Sequence, residues 1–312
     1  MNENIRTYPR IIFMGTPDFA VASLEAILHA KFNIVAVVTA PDKPAGRGMQ
    51  LSETAVKKYA IAHNIPVLQP VNLKDPVFVD QLKSFKADLQ VVVAFRMLPE
   101  VVWSMPSMGT INLHGSLLPQ YRGAAPINRA IMNGEKETGV TTFKLQHAID
   151  TGNILLNKTI PLTDDTTAGE LHDTMKVIGA DLLVETIDGL INESLQEIPQ
   201  NIQPHTHLNS APKIHTNDCI IDFNKSVDHV HNQIRGLSPF PGAFTKLHDK
   251  TFKIYRSEKE YGTCNEACGT PISDGKKILK FACSDGYITC REVQMEGRKR
   301  MDIESFLRGY HM

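Results

Sequence analysis

The 312-residue chain reads as an α/β protein in which an open, mostly parallel sheet covered by crossover helices is followed by a smaller all-β module. Three observations predict this. Short, wholly apolar runs alternate with amphipathic segments through the first half, as buried parallel strands alternate with their connecting helices. An aperiodic stretch at 193–215, carrying Pro199, Pro204 and Pro212, then breaks the pattern. Beyond it, short strand-like runs separated by turns suggest a sandwich or barrel. The predicted division is therefore 1–192, a linker 193–215, and 216–312. A chain of this length can bury two cores without disulfide or metal support.

Arg10 to Met14 is apolar enough for a buried first strand, and Gly15-Thr16-Pro17-Asp18 turns after it. Ala20, Leu24, Ile27 and Leu28 then recur at helical spacing. Ile34 to Val38 reads as a second strand and Val56 to His63 as a second helix. Leu89 to Ala94 and Thr110 to Leu113 have the continuous hydrophobicity of strands covered on both faces. Pro126 to Asn133 is a short helix with proline in the first turn, and Val140 to Leu145 returns as a strand. Thr167 and Glu170 form a capping-box pattern at the head of a helix predicted to run to about Asn192. After the linker come a helix at Ser226 to Arg235 and strands at Ala243 to Leu247, Thr251 to Arg256, Lys277 to Ala282 and Tyr287 to Val293.

Net charge is −1, which taken whole argues against a polyanion partner. Divided at the linker it says something else. Residues 1–212 carry 17 basic against 21 acidic groups, net −4, whereas 213–312 carry 16 against 13, net +3. Arg298-Lys299-Arg300 follows a glycine in that basic part. The N-terminal apolar run is too brief for a signal sequence or a membrane span, so a cytoplasmic protein is expected. Five cysteines without a CxxC pair are expected to be buried or half-buried free thiols, and the sequence offers no zinc pattern.

Chemistry concentrates in Asn112-Leu113-His114-Gly115-Ser116-Leu117-Leu118-Pro119. Strand alternation puts Asn112 and His114 on one face at the C-terminal end of a strand, the edge where open α/β sheets bind ligands. A hydrogen-bond-donating amide beside an imidazole suits a developing oxyanion and a moving proton. Asp150-Thr151-Gly152 supplies a carboxylate able to orient such a ring. Gly15 begins no G-x-G-x-x-G, and H-E-x-x-H, G-x-S-x-G and a Walker lysine loop are absent, which disfavours dehydrogenase, metalloprotease, serine-hydrolase and NTPase readings. The polar loop Pro41-Asp42-Lys43-Pro44-Ala45-Gly46-Arg47-Gly48 offers two cations to a phosphate backbone.

Together these segments resemble the methionyl-tRNA formyltransferases of the folate-dependent formyltransferase superfamily. The likeness extends over Phe13 to Phe19, the Pro41 to Gly48 loop, Asn112 to Pro119 with Arg122 to Pro126, Glu137 to Thr141, Asp150 to Gly152, Ala211 to Ile214 and Ile234 to Gly242. It implies a Rossmann-like formyltransferase fold with an OB-like C-terminal barrel that binds tRNA. It also implies Asn112, His114 and Asp150 as catalytic residues, 10-formyltetrahydrofolate as donor without a metal, and initiator methionyl-tRNA as acceptor. Folate contacts are implied at Phe95, Arg96, Met97, Leu98, Ser116, Leu117, Leu118 and Pro119. Lys43 and Arg47, with Arg298, Lys299 and Arg300, are the expected tRNA contacts. A monomer with no membrane partner is expected. The chain departs from the family where an aromatic-glycine pair is usual: it reads Phe95-Arg96-Met97-Leu98-Pro99, one residue shorter, making Arg96 a candidate to stack on or pair with the folate. Two alternatives share parts of this pattern: a sister formyltransferase for a sugar-nucleotide or glycinamide-ribonucleotide amine, and a nonenzymatic RNA-binding protein.

Overall fold

A computed structural model describes residues 7–45, 50–200 and 207–309. It divides into two compact units, each discontinuous in sequence. The first comprises Met1–Arg122, Gly139–Ile160 and Asp173–Leu208; the second comprises Gly123–Thr138, Pro161–His172 and Asn209–Met312.

Seven strands form the first sheet: β1 (Arg10–Gly15), β2 (Asn33–Val38), β3 (Val67–Leu68), β4 (Leu89–Val93), β5 (Thr110–His114), β6 (Glu137–Lys144) and β7 (Ile154–Pro161). Their order is β7-β6-β5-β4-β1-β2-β3. Neighbours from β5 through β3 pair in parallel, and β6 runs antiparallel to β5. The central strands β1 and β4 are buried almost throughout, as their largely apolar runs require. Helix Asp18–His29 buries Ala20, Leu24 and Ile27 on the predicted face. The end of the long helix Ala168–Ile191 that lies in this unit packs against β5 and β6. A Cβ on Gly179 would stand 2.7 Å from Leu113, and Thr142 and Thr186 share a buried hydrogen bond of 2.8 Å.

Among the elements here that were not expected, two bear on the site and its frame. Helix Pro76–Ser84 has Asp75 accepting from Val77 N at 3.0 Å and proline in its first turn, a start signal legible in the sequence. Strand β7 follows the Asp150 turn directly.

The second unit is built on a curled antiparallel sheet of β8 (Ala243–Leu247), β9 (Lys250–Tyr261), β10 (Pro271–Ser273), β11 (Leu279–Cys283), β12 (Gly286–Met295) and β13 (Met301–Asp302). Main-path order is β8-β9-β12-β11-β10, with β13 against β12, and all these pairings are antiparallel. Register shifts in β9 between Ile254 and Ser257 mark where it departs from a regular ladder. Helix Val227–Gly236 starts at Ser226, whose hydroxyl accepts from His229 N at 3.2 Å. It drops Val230 and Ile234 into a core with Phe252, Phe281 and Phe306.

The early segments join that unit through buried polar contacts. His231 Nε2 donates to the Asp164 carbonyl at 3.0 Å, and Nδ1 faces the Ser257 hydroxyl at 3.0 Å. Arg235, 4% exposed, donates to Asn232 Oδ1 at 2.8 Å and to the Thr166 carbonyl at 3.0 Å. Asn128 donates to the Gly236 carbonyl at 2.7 Å. The predicted capping box forms: Thr167 N donates to Glu170 Oε2 at 2.9 Å and Glu170 N to Thr167 Oγ1 at 3.3 Å. Burial pushes the Glu170 carboxyl up, but the Thr167 and Arg256 hydrogen bonds outweigh it and hold it below its ordinary value.

Candidate active site

Strand β5 ends beside the ends of β4 and β1, with Val93 level with Leu113 and with Gly15. Asn112 and His114 therefore emerge on one face at the C-terminal sheet edge. The Asn112 side chain is half-buried, and its amide has no hydrogen-bond partner among the described residues. His114 is nearly enclosed, with Phe143 edge-on at 6.5 Å between ring centroids. Its Nε2 lies 2.8 Å from the Tyr121 carbonyl, and its Nδ1 lies 3.8 Å from Asp150 Oδ2.

A carbonyl can only accept, so Nε2 carries the hydrogen of the neutral ring. Nδ1 then presents a lone pair toward a carboxylate. The two side chains are largely shielded from water, at 7% and 12% exposure.

The backbone around them is tightly determined. Tyr121 and Asp150 both have left-handed φ angles, +58° and +53°. Thr141 on β6 staples the intervening loop, donating to the Ser116 carbonyl at 2.7 Å and accepting from Leu118 N at 3.2 Å. Ser116, predicted as a folate contact, donates its hydroxyl to the Gln120 carbonyl at 2.6 Å and so shapes the loop. Leu118 packs on Phe143 and Ile154, leaving Leu117 and Pro119 half-buried. Gly152 is required sterically, because a Cβ there would lie 1.6 Å from the Lys144 carbonyl oxygen.

After β4, Phe95 is half-buried, Leu98 buried and Met97 76% exposed. Arg96 donates to the Val71 carbonyl at 2.9 Å and also to that of Pro70, with its guanidinium 5.5 Å from the Phe95 ring. Burial pulls its pKa down. Arg96 thus fastens this segment to the 70–71 loop.

Of the basic candidates, Lys43 is exposed on a two-stranded ribbon of Lys43–Ala45 and Gln50–Ser52, while Arg47 lies outside the described residues. The ribbon's base is pinned by Asp42, which accepts from Lys57 at 2.5 Å and Gln69 at 2.8 Å; these bonds, Lys57 foremost, hold its carboxyl below its usual value. In the second unit Lys299 is exposed and Arg298 donates to the Gly309 carbonyl at 3.2 Å. Arg300 makes a two-pronged contact with Glu292, 2.6 Å on each arm, and lies 4.3 Å over the Tyr255 ring.

All five cysteines are free; Cys268 is exposed rather than buried, whereas burial pushes Cys283 up to about 12 and Cys290 upward as well. Among the described residues no group of three or more His, Cys, Asp or Glu could hold a metal ion, and no helix is long and apolar enough to cross a membrane. Residues that sequence reasoning passed over are Thr141, Tyr121, Phe143 and Gln200; the first lay inside a noted segment, and the last carried no signal.

Fold and site together define an open α/β sheet with polar side chains gathered at the C-terminal edge, where proteins of this class bind ligands. A formyl transferase family model matches residues 9–187, and a formyl transferase C-terminal domain model matches 213–311. Methionyl-tRNA formyltransferase from Bacteroides thetaiotaomicron is 47% identical over 309 residues, covering 97% of this chain and 96% of that protein. The protein of the same name from Parabacteroides distasonis is 48% identical over 309 residues, covering 96% and 95%. An N-formyltransferase from Helicobacter canadensis, solved with folinic acid and dTDP-3-aminofucose, shares the fold with TM-score 0.67 at 23% identity, over 92% of this chain and 99% of that one. HypX from Aquifex aeolicus, solved with tetrahydrofolic acid, aligns with TM-score 0.62 at 16% identity, over 95% and 46%. The chain belongs to the methionyl-tRNA formyltransferase family.

Proposed function

We propose that this enzyme moves the formyl group of 10-formyltetrahydrofolate onto the α-amino group of methionine carried by initiator tRNA, with Asn112, His114 and Asp150 as its catalytic residues. The observation that carries the reading is the His114–Asp150 couple, two proton acceptors 3.8 Å apart near an unpartnered amide at the sheet edge.

The residues present fit a folate. Met97 at 76% and Ile149 at 62% exposure leave apolar surface beside the segment after β4 and beside Asp150. Phe95, Leu98, Leu117, Leu118 and Pro119 would supply the remaining apolar wall for a flat heterocycle. When bound, the folate supplies an activated formyl carbon.

Asn112 donates a hydrogen bond where negative charge develops on the formyl oxygen. The attacking amine must lose a proton, which Asp150 with His114 Nδ1 would receive and return to the donor's departing nitrogen as its bond to the formyl carbon breaks. An α-amino group titrates near ~7.7–8.0, so much of it is already neutral and a strong base is unnecessary. Lys43 and Arg47, with Arg298, Lys299 and Arg300, serve as phosphate contacts that hold the tRNA without reading bases.

The test is a formyl-transfer assay with one folate donor and three acceptors: charged initiator tRNA, elongator methionyl-tRNA and a small amine. Transfer should be fastest to the initiator; equal rates for all three would overturn the acceptor assignment.

A further inference from the structure

Gln200 lies in the stretch between the two matched family models, which end at 187 and resume at 213. Its amide makes four contacts. Nε2 donates to the carbonyls of Asp150 at 3.0 Å and Gly152 at 2.7 Å, and Oε1 accepts from Arg122 Nη2 at 2.6 Å and Nε at 3.2 Å. Both hydrogens and both lone pairs of the amide are therefore used.

The two ends of this bridge matter more than its strength. Arg122 directly follows Tyr121, whose carbonyl holds His114 Nε2. The other end grips the turn that presents Asp150. That turn needs holding: Asp150 has φ +53°, a region a residue with a side chain occupies at a cost, and Gly152 has no space for a Cβ.

We infer that Gln200 is a positioning residue, a strap that joins the His114 anchor to the Asp150 turn and sets the separation of the two groups. This rests on the reading that Asp150 and His114 handle the amine proton. Misplacing a reacting group by about 1 Å can cost ~100-fold in rate, so a strap of neutral hydrogen bonds has a large effect through geometry alone. Asparagine is one methylene too short to span both ends. Glutamate keeps the Arg122 partner but cannot donate to either carbonyl.

The experiment is single-turnover formyl transfer by the full chain, with tRNA binding measured alongside. Gln200→Ala and Gln200→Glu should each lower kcat by ~10–100-fold while the KM for tRNA stays within ~2-fold. The discriminating readout is a double-mutant cycle. In an Asp150→Asn background, Gln200→Ala should cost less than ~2-fold, since there is no longer a carboxylate to position. If Gln200→Ala unfolds, Gln200→Met fills similar space without donating and replaces it in the cycle.

An unchanged kcat in the Gln200 variants overturns the strap. So does an equal loss in both backgrounds, which would mark a merely structural residue. An Asp150→Asn enzyme at full speed would instead overturn the catalytic assignment on which the strap rests.

Discussion

In the first unit His114 is held from behind by the Tyr121 carbonyl on Nε2, with Nδ1 3.8 Å from Asp150 Oδ2, and Asn112 lies two residues before it on the same strand face. In the second unit Arg300 has both guanidinium arms on Glu292 and its flat face on Tyr255. The first cluster is gathered from two separate segments, 112–114 and 150, whereas the second is the contiguous run 298–300. They differ in what surrounds them. Carbonyls and a threonine support the first from behind, whereas an acidic cross-strand neighbour neutralises part of the second. Residue type shows what a side chain can do, and its neighbours decide which of its atoms are still available.

The largest effect that would break this contrast concerns the first cluster. Asn112→Ala, His114→Ala and Asp150→Asn should each lower kcat by at least ~100-fold with tRNA affinity nearly unchanged, measured by single turnover and filter binding. A loss confined to affinity would mean the three residues bind tRNA rather than act on the formyl group. Next comes the scaffold. Gly152→Ala should cost ~3 kcal/mol or more in urea unfolding, because the Lys144 carbonyl cannot recede without disturbing the β6 edge. Gly275→Ala, at φ +68° in open space, should cost only ~1 kcal/mol.

Smaller effects sharpen the second side. Arg298→Gln and Lys299→Gln should each reduce the salt slope of tRNA binding by about 1, and Arg300→Gln by clearly less, since Glu292 already offsets its charge. Equal slopes for all three would show that the ion pair opens on binding. The smallest concerns pH. Burial holds His231 below the ordinary histidine value of 6.5, so the unfolded chain takes up the proton first as pH falls. Its contribution is complete above pH 6.5 and declines below it until the folded ring also protonates. His231→Gln should flatten that limb of the stability profile.

Much of this was legible in the sequence where apolar period and local chemistry agree. β1 and β4 were recognisable because strands covered on both faces leave largely apolar runs, and β5 because its Ile111 and Leu113 alternate with polar residues. Asn112, His114 and the Asp150 turn were recognisable because strand alternation and a following glycine constrain direction. Strand β7 was missed because Asn157, Lys158 and Thr159 sit mid-run and dilute its apolar signal. The supporting contacts were illegible for a different reason. Thr141, Tyr121 and Gln200 act through pairings 7 to 78 residues apart in the chain, and often through carbonyls every residue carries. The same holds for Arg300, whose partner Glu292 is supplied by strand pairing.

The interleaving of the two units bears on how such a protein can be rebuilt. A C-terminal module cut out after residue 212 would leave behind 123–138 and 161–172. With them would go Asp164, which accepts from His231 through its carbonyl and pairs with Lys136, and Glu170, which pairs with Arg256. Recombination between relatives should therefore succeed when all three stretches travel together. A single crossover in the proline-rich stretch would hand each recipient an unit whose inner surface was shaped by another chain's side chains.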